Sequence, residues 1–91
     1  MCAPREMLLH HPMISGRQIR TARALVNWSQ QMLADTAIVS LNAVHQLEIG
    51  MTDPKASTVS AIRKALEGAG VEFIPAERGK GEGVRLASAD L

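Results

Sequence analysis

His10-His11 and Cys2 offer imidazole and thiol, the ligand types of a zinc site. No fourth ligand stands at metal spacing, so no metal is expected. Gly79-x-Gly81-x-Gly83 resembles a phosphate-cradling loop in its glycines alone. Such a loop works by opening a helix, and this one lies between two alternating apolar runs, so nucleotide binding is rejected. Ser15, Ser29 and Ser40 each precede a helical stretch, where helix capping accounts for a hydroxyl. The carboxylates are scattered and read as solvated surface groups. No nucleophile, base and orienting group form a set, so neither an enzyme nor a cofactor is expected.

The elements that would position any site follow from apolar spacing and punctuation. Ser15 opens a helix over Gly16–Val26, with Ile19, Ala22, Arg23 and Val26 on one face. Asn27 suits a left-handed helix end. Ser29 caps a short helix, Gln30–Thr36, with Leu33 and Ala34 inward. Ala37-Ile38-Val39 leads to a third helix, Leu41–Glu48, capped by Ser40 and ended by Gly50, where Val44 and Leu47 repeat at i, i+3. Thr52-Asp53-Pro54 signals a turn. A fourth helix opens at Ser57 or a near neighbour, with Val59, Ile62, Leu66 and Ala69 as its stripe and Gly68 and Gly70 to stop it. Val71–Ile74 and Gly83–Leu86 alternate, predicting a β-hairpin with a flexible polar loop over Pro75–Glu82. A lone hairpin is marginal in water, so it must pack on the helices or on another subunit.

With 91 residues the chain has room for one small domain. A domain of this size buries only about 60–65% of its unfolded surface and commonly needs a staple. One cysteine excludes an internal disulfide and fits a reducing cytoplasm. Dimerisation is then the expected staple. Trp28 and Phe73 are the only aromatics, so the core must be aliphatic. No apolar run is long enough for a membrane span, and Met7-Leu8-Leu9 is too short for a signal peptide. The expected location is cytoplasmic. A net charge of +1 argues against a nonspecific nucleic-acid coat and leaves a sequence-specific reader open. The expected divisions are a flexible tail over 1–14, with Met13 as a second candidate start, a helical domain over 15–70, and the hairpin with its tail over 71–91.

Gln30–Ile49 holds two short helices joined by three residues. Ala34 is small where they approach, and Leu33, Ala37, Val39, Val44 and Leu47 are apolar where such a unit needs a core. This is the pattern of a helix-turn-helix, whose second helix can enter the major groove of DNA. The landmarks run in order: Gln18-Ile19-Arg20, Ala22-Arg23, Trp28-Ser29-Gln30, Leu33-Ala34, Val39-Ser40, and Leu47-Glu48 with Gly50. Through them residues 15–70 resemble the Xre/Cro family of phage-repressor-type regulators. Gly70-Val71-Glu72-Phe73-Ile74-Pro75 with Gly83-Val84-Arg85-Leu86 is similar to a small bacterial subgroup of that family.

The fold expected is mainly α: a four-helix repressor-like helix-turn-helix bundle followed by a C-terminal two-stranded antiparallel β-hairpin. The resemblance implies a transcriptional regulator, commonly a repressor, acting at the nucleoid. It would bind a double-stranded DNA operator as a homodimer, on inverted half-sites about 34–36 Å apart. It also implies roles. Gln30 would contact a phosphate. Ser40, Leu41, Asn42, His45 and Gln46 would lie on or near the exposed face of the third helix. Asn and Gln can pair bidentately with adenine, and Leu41 can meet a thymine methyl. Arg23 and Glu48 match a family ion pair between the first and third helices. Val71, Phe73, Val84 and Leu86 are candidates for apolar contacts at the hairpin, including the subunit interface.

Two positions depart from the family pattern. Ile38 stands where glycine is usual; a β-branched residue is costly at positive φ, so the turn must differ or carry strain. Ile49 stands where a polar or basic residue is usual. Moreover, no Lys or Arg occurs from Ala24 to Pro54, while Arg17, Arg20, Lys55, Arg63 and Lys64 flank that span. A shallow salt dependence follows, offset by dimeric binding. The same charge-poor helix suits a second reading, a protein-interaction module on this fold such as an antitoxin or anti-activator.

Overall fold

Three capping serines and three left-handed stops divide the helical part of the chain. The computed structural model describes residues 14–50 and 55–88. They form α1 (Gly16–Val26), α2 (Gln30–Ala37), α3 (Leu41–Ile49) and α4 (Ala56–Gly68), then antiparallel strands β1 (Val71–Ile74) and β2 (Gly83–Leu86). The expected architecture of four helices and a hairpin is the one observed. The tail with His10-His11, Cys2 and Met13, and the Thr52-Asp53-Pro54 turn, lie outside the described residues.

The hydroxyls of Ser15, Ser29 and Ser40 accept from the backbone N–H groups of Gln18, Met32 and Ala43 at 3.1, 3.0 and 3.0 Å. Each satisfies a donor the helix start would otherwise orphan, and such a cap contributes about 1 kcal/mol. Asn27, Ile38 and Gly50 end α1, α2 and α3 at φ of 58°, 58° and 73°. Helices α2 and α3 each run one residue past the expected end. Helix α4 starts one residue before Ser57, after Lys55, whose side chain makes no cap bond.

The helices enclose an aliphatic core. Ile19, Leu33, Val44, Ile62 and Leu66 are its largest fully buried side chains. Trp28, Ala37 and Val39 pack against it half-buried. Ile14, assigned to the tail by pattern, is also buried. Ala69, assigned to the stripe of α4, is instead its half-buried C-cap.

In the hairpin, Val71 pairs with Leu86, Glu72 with Arg85, Phe73 with Val84 and Ile74 with Gly83. A period of two puts Val71, Phe73, Val84 and Leu86 on one face and Glu72 with Arg85 on the other. The apolar face packs on α1 and α4 of the same subunit. The loop is more ordered than its polar composition suggests. Glu77 and Lys80 exchange backbone hydrogen bonds of 3.0 and 2.9 Å around Arg78 and Gly79, at φ of 53° and 80°. Positive φ at both central residues is what a tight two-residue hairpin turn requires. The expected flexible loop therefore contains a closed turn, hidden from the sequence because Arg is an unusual residue for it.

Candidate nucleic-acid interface

Helix α3 has two unlike sides. Val44, Leu47 and Glu48 are buried, whereas Ser40, Leu41, Asn42, His45 and Ile49 are exposed and Gln46 is half-buried. At 3.6 residues per turn, Asn42, His45, Gln46 and Ile49 fall in one stripe, with Leu41 at its rim. All five residues expected on or near that face thus sit together on α3 and its cap. The carboxamides of Asn42 and Gln46 each carry donor and acceptor atoms side by side, the arrangement that matches an adenine edge. The Ser40 hydroxyl oxygen is engaged by the cap, and its hydrogen stays free to donate.

The buried side of α3 is held by a polar clamp. Arg23 donates to Glu48 twice, Nε to Oε2 at 2.6 Å and Nη2 to Oε1 at 2.9 Å. Its Nη1 donates to the Trp28 carbonyl at 2.9 Å. Gln30 Nε2 donates to Glu48 Oε1 at 3.0 Å. One carboxylate, 2% exposed, therefore joins α1, the start of α2 and the end of α3. Hydrogen bonding to Glu48 raises the Arg23 pKa above its ordinary value against the opposing effect of burial. No buried side-chain N or O atom among the described residues lacks a partner. The ion pair expected between Arg23 and Glu48 is present, and a pair of this kind fixes geometry more than it adds net stability.

Gln30, expected at a phosphate, has one amide hydrogen on Glu48 and a second still available. Ile38 keeps the left-handed turn, at φ 58° and ψ 51°, with its side chain 88% exposed. Of the two outcomes open to a β-branched residue there, the structure has the strained one.

The hairpin residues divide. Val71 and Phe73 are only 2% and 8% exposed, buried against the subunit's own helices, so they are not free to meet a second subunit. Hydrophobic burial used them inside the monomer. Val84 and Leu86 remain half-buried.

Sequence reasoning missed Gln18. Its side chain accepts from the Ser15 N–H at 2.9 Å and donates to the carbonyls of Ile74 and Gly83 at 3.2 and 2.9 Å. It completes a capping box at the start of α1 and ties down the loop end of the paired strands. The Ser-x-x-Gln signature could have shown the first role. Nothing local could have shown the second.

A second helix exposed along one stripe, set by a three-residue turn and anchored from behind, defines a helix-turn-helix domain of the DNA-binding class. A helix-turn-helix family model matches residues 19–73, more than half of the chain. The chain belongs to that family, the Xre/Cro-like helix-turn-helix regulators, as its landmarks suggested. No curated protein matches it. No helix among the described residues is long and apolar enough to cross a membrane.

Proposed function

We propose that the protein is a sequence-specific transcriptional regulator that lays α3 in the major groove of an inverted-repeat operator as a homodimer. The observation that carries this is the division of α3. Asn42, His45 and Gln46 face outward or sideways, while Glu48 and Leu47 lock the opposite side to α1 and α2. Asn42 and Gln46 read adenine edges, Leu41 meets a thymine methyl, and His45 reaches a base edge or a phosphate. Gln30 and Ser40 donate to phosphates beside the groove. Exposed backbone N–H groups at the capped starts of α2 and α3 add anion contacts without formal charge.

The test begins with selection of duplex DNA by the purified protein, followed by gel shift. Asn42→Ala and Gln46→Ala should each weaken binding about 5- to 150-fold, the equivalent of one lost bidentate pair at about 1–3 kcal/mol. Selected sites should contain two inverted half-sites. Undiminished binding by both variants would remove the assigned contacts.

A second reading draws on one observation. Met32, Ile38, Leu41 and Ile49 are exposed at 49%, 88%, 43% and 50%, on a unit without cations. Large apolar side chains left in water on such a unit favour protein contact. If no duplex is retained by the protein, the antitoxin or anti-activator reading takes precedence.

A further inference from the structure

We infer that Arg20, at the crossing of α1 and α3, supplies the phosphate contact that the reading unit lacks. The inference rests on the groove-reading role of α3 proposed above. No Lys or Arg belongs to α2 or α3, and the outward stripe of α3 ends in Ile49, which is half exposed. A helix lying in the major groove has a phosphate strand on either side of it, so its flanks call for cations.

Gly16 brings such cations to the end of α3. A Cβ on Gly16 would lie 2.3 Å from the Leu47 carbonyl oxygen and 2.7 Å from that of Glu48. Only a residue without one lets α1 begin directly against the last turn of α3. That approach sets Arg17 and Arg20 beside Glu48, Ile49 and Gly50 around an open cleft of about 480 Å³. Glu48 is already paired with Arg23 and bonded by Gln30, and it makes no ion pair with Arg17 or Arg20. Arg17 has a 3.5 Å contact with Glu82 of the hairpin. Arg20 is exposed and has no carboxylate partner among the described residues. A guanidinium with no carboxylate partner among the described residues, next to the reading stripe and with a planar fork suited to phosphate, matches a phosphodiester of the operator backbone.

A structural role would look different. A cation near the C-terminal carbonyls of α3 interacts favourably with the helix dipole and would act on folding alone. The discriminating measurement is the salt dependence of binding to the selected duplex, for the full chain and for Arg20→Gln, Arg20→Lys and Lys64→Gln. Lys64 is exposed on α4 and removes the same charge elsewhere. Loss of one phosphate contact should make the slope of log K against log salt shallower by about 0.9 per bound subunit. Arg20→Gln should show this, with about five- to tenfold weaker binding at 0.1 M salt and the same preferred sequence. Arg20→Lys should retain most of the affinity, and Lys64→Gln should leave the slope unaltered. An unchanged slope in Arg20→Gln, or an equal loss in Lys64→Gln, would overturn the assignment. If the wild-type chain binds no duplex, the groove-reading role fails and this inference with it. If the chain binds, Asn42→Ala weakens it and Arg20→Gln does not, only the Arg20 contact is wrong.

Discussion

At Ile38 the backbone sits in the left-handed region with a β-branched side chain 88% exposed to water. A left-handed conformation costs an L-residue about 1–2 kcal/mol, and glycine gives back about 0.5–1 kcal/mol of that through its greater unfolded freedom. Ile38→Gly should therefore raise stability by up to about 1 kcal/mol, read as a higher urea midpoint at constant slope. Because so little of Ile38 is buried, a loss of stability instead would mean that the side chain has an apolar partner. Glu48 presents the opposite case, a buried charge with every bond satisfied. Glu48→Ala removes the acceptor shared by Arg23 and Gln30 and should destabilise by about 3 kcal/mol, since a stranded buried partner costs more than the intact pair contributes. A double-mutant cycle with Gln30→Ala should show coupling between the two positions.

The elements are joined by close approaches and by one amide. Gly16→Ala would drive a methyl into backbone carbonyls of α3, atoms that cannot swing aside like a flexible side chain. A loss of about 1–3 kcal/mol is expected, together with weaker DNA binding as α3 shifts. The hairpin should respond to acid. Hydrogen bonding from Arg85, then its charge, lowers the Glu72 pKa; its own backbone N–H, the Ser15 hydroxyl and Arg17 lower that of Glu82. Both carboxyls thus hold a proton less tightly folded than unfolded. Their contribution is complete above the ordinary glutamate range and is lost as the pH falls through the lower folded values. Hairpin amides followed by NMR should stay protected at neutral pH and open in acid before those of α3. High salt should narrow that difference chiefly through Glu72, which is exposed, and less through the half-buried Glu82.

For the whole molecule, the burial of Val71 and Phe73 alters where a second subunit can dock. The hairpin is a support for α1 and α4 first, and the remaining apolar surface of its strands is the half-buried Ile74, Val84 and Leu86. The proposed homodimer should scatter light at twice the subunit mass at tens of micromolar. A lone subunit at that concentration would count against paired half-sites. The charge distribution makes its own prediction. With cations confined to the flanks, the salt slope of the wild-type complex should be shallower than that of a basic reader of equal size.

Serine caps, apolar stripes and glycine or asparagine stops are local signals, and they determined the four helices, the hairpin and the outward set on α3. They act over one helical turn or one strand period, so the order of residues contains them. Even Arg23 and Glu48, far apart in the chain, were legible, because the landmarks around them resemble a known family. Tertiary structure alone decided that Gln18 clasps the hairpin, that Gly16 abuts the carbonyls of α3, and that Val71 and Phe73 face inward to their own helices. Those outcomes depend on which surfaces meet when separate elements pack. Apolar burial and hydrogen-bond satisfaction choose among such meetings in three dimensions, where separation along the chain no longer measures distance.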